Sequence, residues 1–147
     1  VRRLIMARPY LGGSPASIKE VTEAATLVSA DHGKIILMNA GTDDVVITLP
    51  ALAKGLEFTF VQTKASAGST CRITPVGGKI IGYVSQQEGE NADATTADGL
   101  VSVLDGADDK YVQLDKATGH LGDYIKIVCD GSDWYVIGGI GEFSHES

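Results

Sequence analysis

The residues able to do chemistry are scattered along the chain. Two thiols, Cys71 and Cys129, three imidazoles, His32, His120 and His145, and a set of carboxylates in glycine-containing turns are the candidates. A zinc site needs cysteines or histidines in closely spaced pairs, and neither cysteine has such a neighbour while the histidines lie far apart. No zinc site is expected. Cys71 with His120 as base is a conceivable nucleophilic pair, but a reactive thiol requires an electropositive, partly open setting. Both cysteines fall in strand-like segments, TCRIT and KIVCD, so both are expected as buried thiols, with neither a disulfide nor a catalytic role. The carboxylates pair as Asp43 with Asp44, Glu88 with Glu90, Asp105 with Asp108 and Asp109, and Asp130 with Asp133. Such pairs can hold calcium or run glycoside hydrolysis. DGADDK lacks the alternating acids, the mid-loop glycine and the distal glutamate of a calcium loop, and no carboxylate shows the apolar setting beside an ionised partner that a glycosidase needs. Turn formation is the expected role of these aspartates. Gly138-Gly139-Ile140-Gly141 follows a strand without opening a helix; close backbone approach at a sheet edge or subunit contact is expected there, not a phosphate cradle. Trp134, beside Tyr135, reads as a core or hairpin aromatic, with a sugar-stacking platform as the alternative. No catalytic residue, metal or cofactor is expected.

The elements that carry these residues are strands. VVITLP alternates Val45, Ile47 and Leu49 with Val46 and Thr48, and LEFTFVQ alternates Leu56, Phe58 and Phe60 with Glu57, Thr59 and Val61. Period two marks a sheet with one face on a core. KIILMN precedes them, and a strand is also expected at residues 25–29. TCRITP and KIIGYV, joined across Val76-Gly77-Gly78, read as a hairpin, as do LVSVL and KYVQL across DGADD. The last pair, DYIKIVCD and DWYVIGGI, turns at Asp130-Gly131-Ser132-Asp133, where Asp-Gly chemistry closes hairpins. About ten short strands at roughly 8–12-residue spacing, with no helix and no internal repeat, predict an all-β domain, a β-sandwich or jelly-roll-like barrel. It would occupy residues 21–147. Residues 1–20, broken by Pro9, Gly12, Gly13 and Pro15, read as an N-terminal arm.

Composition agrees. Valine, isoleucine and threonine contribute 36 of the 147 residues, a mixture that favours strands over helices. No apolar run approaches the ~20 residues of a membrane span, and no signal peptide is visible, so synthesis in the cytoplasm and no membrane partner are expected. The net charge of −7 repels polyanions and argues against nucleic acid as a partner. That charge is uneven: residues 1–80 carry +3 and residues 81–147 carry −10, as an interaction surface or a solvated acidic face would. Seven carboxylates between Glu88 and Asp109, without one lysine or arginine, are costly to bury, so the stretch from Gln86 to Gly99 and the DGADD turn are expected to face solvent.

The order VVITLPAL, GLEFTFVQ, CRITPVGGKIIG and GDYIKIVCDGSDWYVIGGIG, within residues 34–141, resembles a pattern of tailed-phage virion proteins. These include small capsid decoration (cement) proteins and terminal β-domains of head and tail fibres. Thr48, Leu49, Pro50, Ile73, Thr74, Pro75, Asp130, Gly131, Trp134 and Tyr135 match it as framework positions. The resemblance implies a non-enzymatic homotrimer on the virion surface, bound to the major capsid protein and stabilising the shell. A receptor- or glycan-binding fibre domain using Trp134, Tyr135 and residues 86–99 is the alternative. The short arm, with no long stalk, fits decoration better than fibre. In that arm Arg2, Arg3 and Arg8 offer charge-assisted contacts to carboxylates, while Leu4, Ile5, Met6 and Tyr10 offer apolar surface, so these seven are the candidate capsid-binding residues. The competing reading places Arg2 to Met6 in an edge strand of the domain. Deleting residues 1–12 is expected to abolish head binding and leave the melting transition unchanged; a binding assay with calorimetry checks both, and an unfolded variant would favour the edge strand.

Overall fold

The computed structural model describes residues 17–39, 43–64, 70–85, 101–104, 111–114, 119–141 and 143–145. Among them are twelve strands and one 3-10 turn, with no α-helix. In order the strands are β1 (Ile18–Val21), β2 (Ala25–Thr26), β3 (Ile35–Met38), β4 (Val45–Thr48), β5 (Glu57–Gln62) and β6 (Cys71–Thr74). β7 (Ile80–Ser85), β8 (Val101–Leu104), β9 (Val112–Leu114), β10 (Tyr124–Cys129), β11 (Trp134–Ile140) and β12 (Phe143–His145) follow. They form a seven-stranded sheet ordered β1-β3-β5-β10-β11-β7-β8 and a five-stranded sheet ordered β12-β9-β6-β4-β2.

The first half of the chain changes sheet after every strand. β1, β3 and β5 are laid parallel in the larger sheet, and β2, β4 and β6 parallel in the smaller one. Each return journey between parallel neighbours passes through the opposite sheet, which supplies the crossover that a helix usually provides. The second half departs from this rule. β10 and β11 form an antiparallel hairpin that enters the larger sheet between β5 and β7, antiparallel to β5 through β10 and parallel to β7 through β11.

Period-two patterning explains the packing. Val45, Ile47, Phe58, Phe60, Ile125, Ile127 and Cys129 face inward while their neighbours do not, and residues of both sheets join one buried cluster. Phe58 contacts two further rings in it, with centroids 6.4 Å from Phe60 and 5.9 Å from Trp134. Both cysteines are buried thiols, as their strand positions imply.

Two expected hairpins are overturned. β6 lies in the smaller sheet and β7 in the larger, so Val76-Gly77-Gly78 carries the chain from one sheet to the other. Gly78 has a positive φ of 70°, and its missing side chain makes room for the β10–β11 turn: a Cβ there would stand 2.4 Å from the Ser132 carbonyl oxygen. Likewise β8 and β9 belong to different sheets. The strand expected at residues 25–29 is only Ala25–Thr26, because Ser29–Asp31 turns as a 3-10 helix. The expected edge of the arm, residue 20, falls inside β1. The last hairpin forms as its Asp-Gly turn requires: Asp130 Oδ1 accepts hydrogen bonds from the amides of Ser132 (2.7 Å) and Asp133 (2.8 Å), and Gly131 takes a φ of 103°. Gly138–Gly141 does allow close approach, yet within the sheet and not at its edge: a Cβ on Gly139 would lie 3.0 Å from the Tyr124 carbonyl oxygen.

One buried charge ties the start of the coil together. Lys19 pairs in register with Ile36, so its side chain leaves the edge strand on the inner side and reaches Asp31 Oδ2 at 2.8 Å, while Lys34 reaches Oδ1 at 2.7 Å. The Val28 amide donates to the same carboxylate. Burial alone would raise the Asp31 pKa; the hydrogen bonds from Lys19, Lys34 and the Val28 amide outweigh it and hold the carboxyl far below the usual range. The resulting stabilisation is complete above the unfolded-state pKa of about 3.9 and is lost as pH falls toward the folded-state value. Asp31→Asn is expected to cost about 2 kcal/mol at pH 7, less than the 3–5 of a fully buried pair because the lysine side chains stay 32 % and 28 % exposed. The deficit should shrink as the wild-type carboxylate protonates; urea unfolding at pH 7 and in strong acid checks it.

A candidate interaction face

The two sheets differ in what they turn outward. On the smaller sheet, Thr26, Thr48 and Thr74 stand in register across β2, β4 and β6, and Val46, Arg72 and Gln113 across β4, β6 and β9. Arg72 Nε donates to Gln113 Oε1 at 2.7 Å, and its guanidinium lies 4.7 Å from the Tyr111 ring centroid. This surface is largely polar, and Arg72 is held in it by Gln113 and Tyr111.

The outer face of the larger sheet is apolar. Leu37, Val61, Tyr124 and Ile140 form one continuous row across β3, β5, β10 and β11. Ile18 and Ile35 pair in a second row, and Val128, Tyr135 and Ile81 make a third. Their alternate neighbours are the inward core residues, which is why these side chains point out. Tyr83 on β7 is 66 % exposed. A bulge in β11, where Val136 opposes Ile127 and Gly138 opposes Lys126, inserts Ile137 as an extra residue and leaves it exposed too. Glu20, Thr59 and Ser85 share these rows, and an ion pair joins two of them, Lys126 Nζ to Glu57 Oε1 at 2.8 Å.

At the rim of this face Asp130 and Tyr135 affect each other. Amides of Asp133 and Ser132 hold the Asp130 carboxyl below its usual pKa, and the negative charge of Asp130 is the main reason the Tyr135 phenol is pushed up. Tyr135 therefore stays protonated, and a hydrogen-bond donor, well beyond neutral pH.

The other candidates resolve into structure. Trp134 is fully buried against Phe58, so it cannot be a sugar-stacking platform. Asp44 Oδ1 accepts from the Thr70 amide and Asp133 Oδ1 from the Lys79 amide, each carboxylate fastening one loop to another. His32 Nδ1 accepts from the Glu57 amide at 3.1 Å. No group of three metal-ligating side chains occurs among the described residues, nor any helix long and apolar enough to cross a membrane. Arg2, Arg3, Leu4, Ile5, Met6, Arg8 and Tyr10, the acidic stretch 86–99 and DGADD all lie outside the described residues. Sequence reading passed over the apolar face although half its signal was visible: in LEFTFVQ and DYIKIVCD the positions between the core residues are themselves partly apolar.

No family model matches the chain, and no curated protein does.

The Glu57–Lys126 pair tests how open this face is. Both side chains are well exposed, so a double-mutant cycle with Glu57→Gln and Lys126→Met is expected to give a coupling of about 0.2–1 kcal/mol that falls as salt is raised. Unfolding measurements at low and high ionic strength check it.

Proposed function

We propose that the chain is a virion structural protein of the tailed-phage decoration type, binding the outside of the head and stabilising the shell without catalysis. The observation that carries a binding role is the broad apolar face of the larger sheet on a chain of net charge −7. The virion setting rests on the resemblance within residues 34–141, whose framework members have structural work here: Trp134 in the core, Asp130 and Gly131 in the hairpin turn. The architecture we infer is a two-layered β-sandwich, supported by a single core drawn from the inner faces of both sheets. The burial of Trp134 removes one of the residues on which the fibre alternative rests, and Tyr135 stays half-buried on the outer face.

Attachment would work by mass action. A protein that binds the assembled shell and not its separated subunits stabilises the shell by RT ln(1 + [L]/Kd) per site, about 2.7 kcal/mol at a hundredfold excess over Kd. Purified protein mixed with undecorated heads is expected to saturate them at many copies per head and to raise their dissociation temperature. Saturation at a few copies would favour a fibre, and no binding would overturn the proposal.

A further inference from the structure

We infer that the outer face of the larger sheet is the contact through which copies of this chain associate. The inference deepens the reading above together with the homotrimer that the resemblance implies: it assigns the face that carries the binding role to a second copy, and leaves attachment to heads to other surfaces.

Three observations identify a second copy as the occupant. The first is charge. Two chains of −7 repel each other over most approaches, so they can meet only where that charge is absent. On this face Glu57 is paired with Lys126, Glu20 on β1 lies near the sheet edge and accepts a hydrogen bond from Asn39, and Asp130 stands at the rim beside Tyr135. A face whose unpaired charge is confined to its margin selects neither a strongly basic nor a strongly acidic partner, and it meets its own copy with less repulsion than a charged surface would.

The second is size. β1, β3, β5, β10, β11 and β7 lie side by side, and at about 4.8 Å between strands and about 3.3 Å per residue they present a footprint of roughly 500 Å² before the relief of the side chains is counted. Two such footprints give about 1,000 Å² in total, the lower bound of a specific interface.

The third is composition. Tyr83, Tyr124 and Tyr135 stand among Leu37, Val61 and Ile140, and aromatic residues with depleted charge are what the core of a subunit interface contains. The one ion pair is already joined, so covering it costs far less than covering a lone charge.

Val61 lies mid-face, half-buried and outward, so Val61→Lys puts a charge into the contact without touching the core. Thr74→Lys, on the outer face of the smaller sheet, is the control. In sedimentation velocity the wild-type full chain and Thr74→Lys are expected to associate, with Val61→Lys weakened about tenfold or more. A dimer through this face sustains the inference and overturns the trimeric reading; a trimer sustains both. Unchanged association of Val61→Lys overturns the inference and leaves self-association standing elsewhere. A wild-type chain that stays monomeric overturns both.

Should Val61→Lys fail to fold, the wild-type chain supplies the answer through nitration of its tyrosines over a dilution series. Tyr83, Tyr124 and Tyr135 should react more slowly as the protein associates, while Tyr111, stacked under Arg72, keeps one rate. Concentration-independent rates at the three face tyrosines overturn the proposal. Loss of head binding with association intact would count against decoration alone.

Discussion

A strand in either sheet has an inward row that only the opposite sheet can keep dry, and every other feature of the structure answers to that requirement. Phe58, Phe60 and Trp134 make it concrete: two rings from β5 and one from β11 occupy the same interior, and the smaller sheet closes over it with Val45, Ile47, Ile73, Val112 and Leu114. The early part of the chain meets the requirement locally, because each strand of one sheet is followed by a strand of the other. Parallel neighbours arise from this without helices. The fixed point at the start of that winding is Asp31, a buried carboxylate that two lysines and an amide make cheaper to keep charged than to neutralise.

Which faces lie inside could be read from the sequence, and which strands lie side by side could not. Val45, Ile47 and Leu49, or Leu56, Phe58 and Phe60, announce their own burial through alternation, since each side chain's direction is a local property of extended backbone. The Asp130–Asp133 turn was equally legible, because its carboxylate bonds its own amides. Pairing is a property of distant segments. A three-residue glycine connection after β6 suits a hairpin and a crossing between sheets alike, and only the presence of the β10–β11 turn beside Gly78 settles which one forms. The bulge at Ile137 was hidden for the same reason: it is defined by a register against β10 and β7 that no window on β11 contains. The apolar outer face is harder to read, because Val61, Tyr124 and Val128 alternate with core residues but share their strands with Glu57, Thr59 and Lys126.

The contrast between the two outer faces gives the domain a direction. Threonines and a stacked arginine meet solvent on one side; isoleucine, leucine, valine and tyrosine line the other. A sheet that needed only to enclose its core would not be indifferent to such a cost, since unpartnered apolar area of this extent favours contact with another surface. In the reading proposed above, function is distributed over a surface.

The hairpin seated between β5 and β7 also sets the order in which the molecule can be made. Emerging from the ribosome, β7 appears long before β10 and β11, and it runs in the same direction as β5. Until the hairpin arrives, both strands have an open edge, and continuing the winding would lay β7 directly on β5. The native neighbours are far apart in sequence, so loop-closure entropy is met before their contacts are gained, an arrangement that slows folding. The nascent chain thus passes through a stage in which two strand edges are exposed and its own next strand is their nearest competitor, and β10 and β11, made well after them, are the strands that end it.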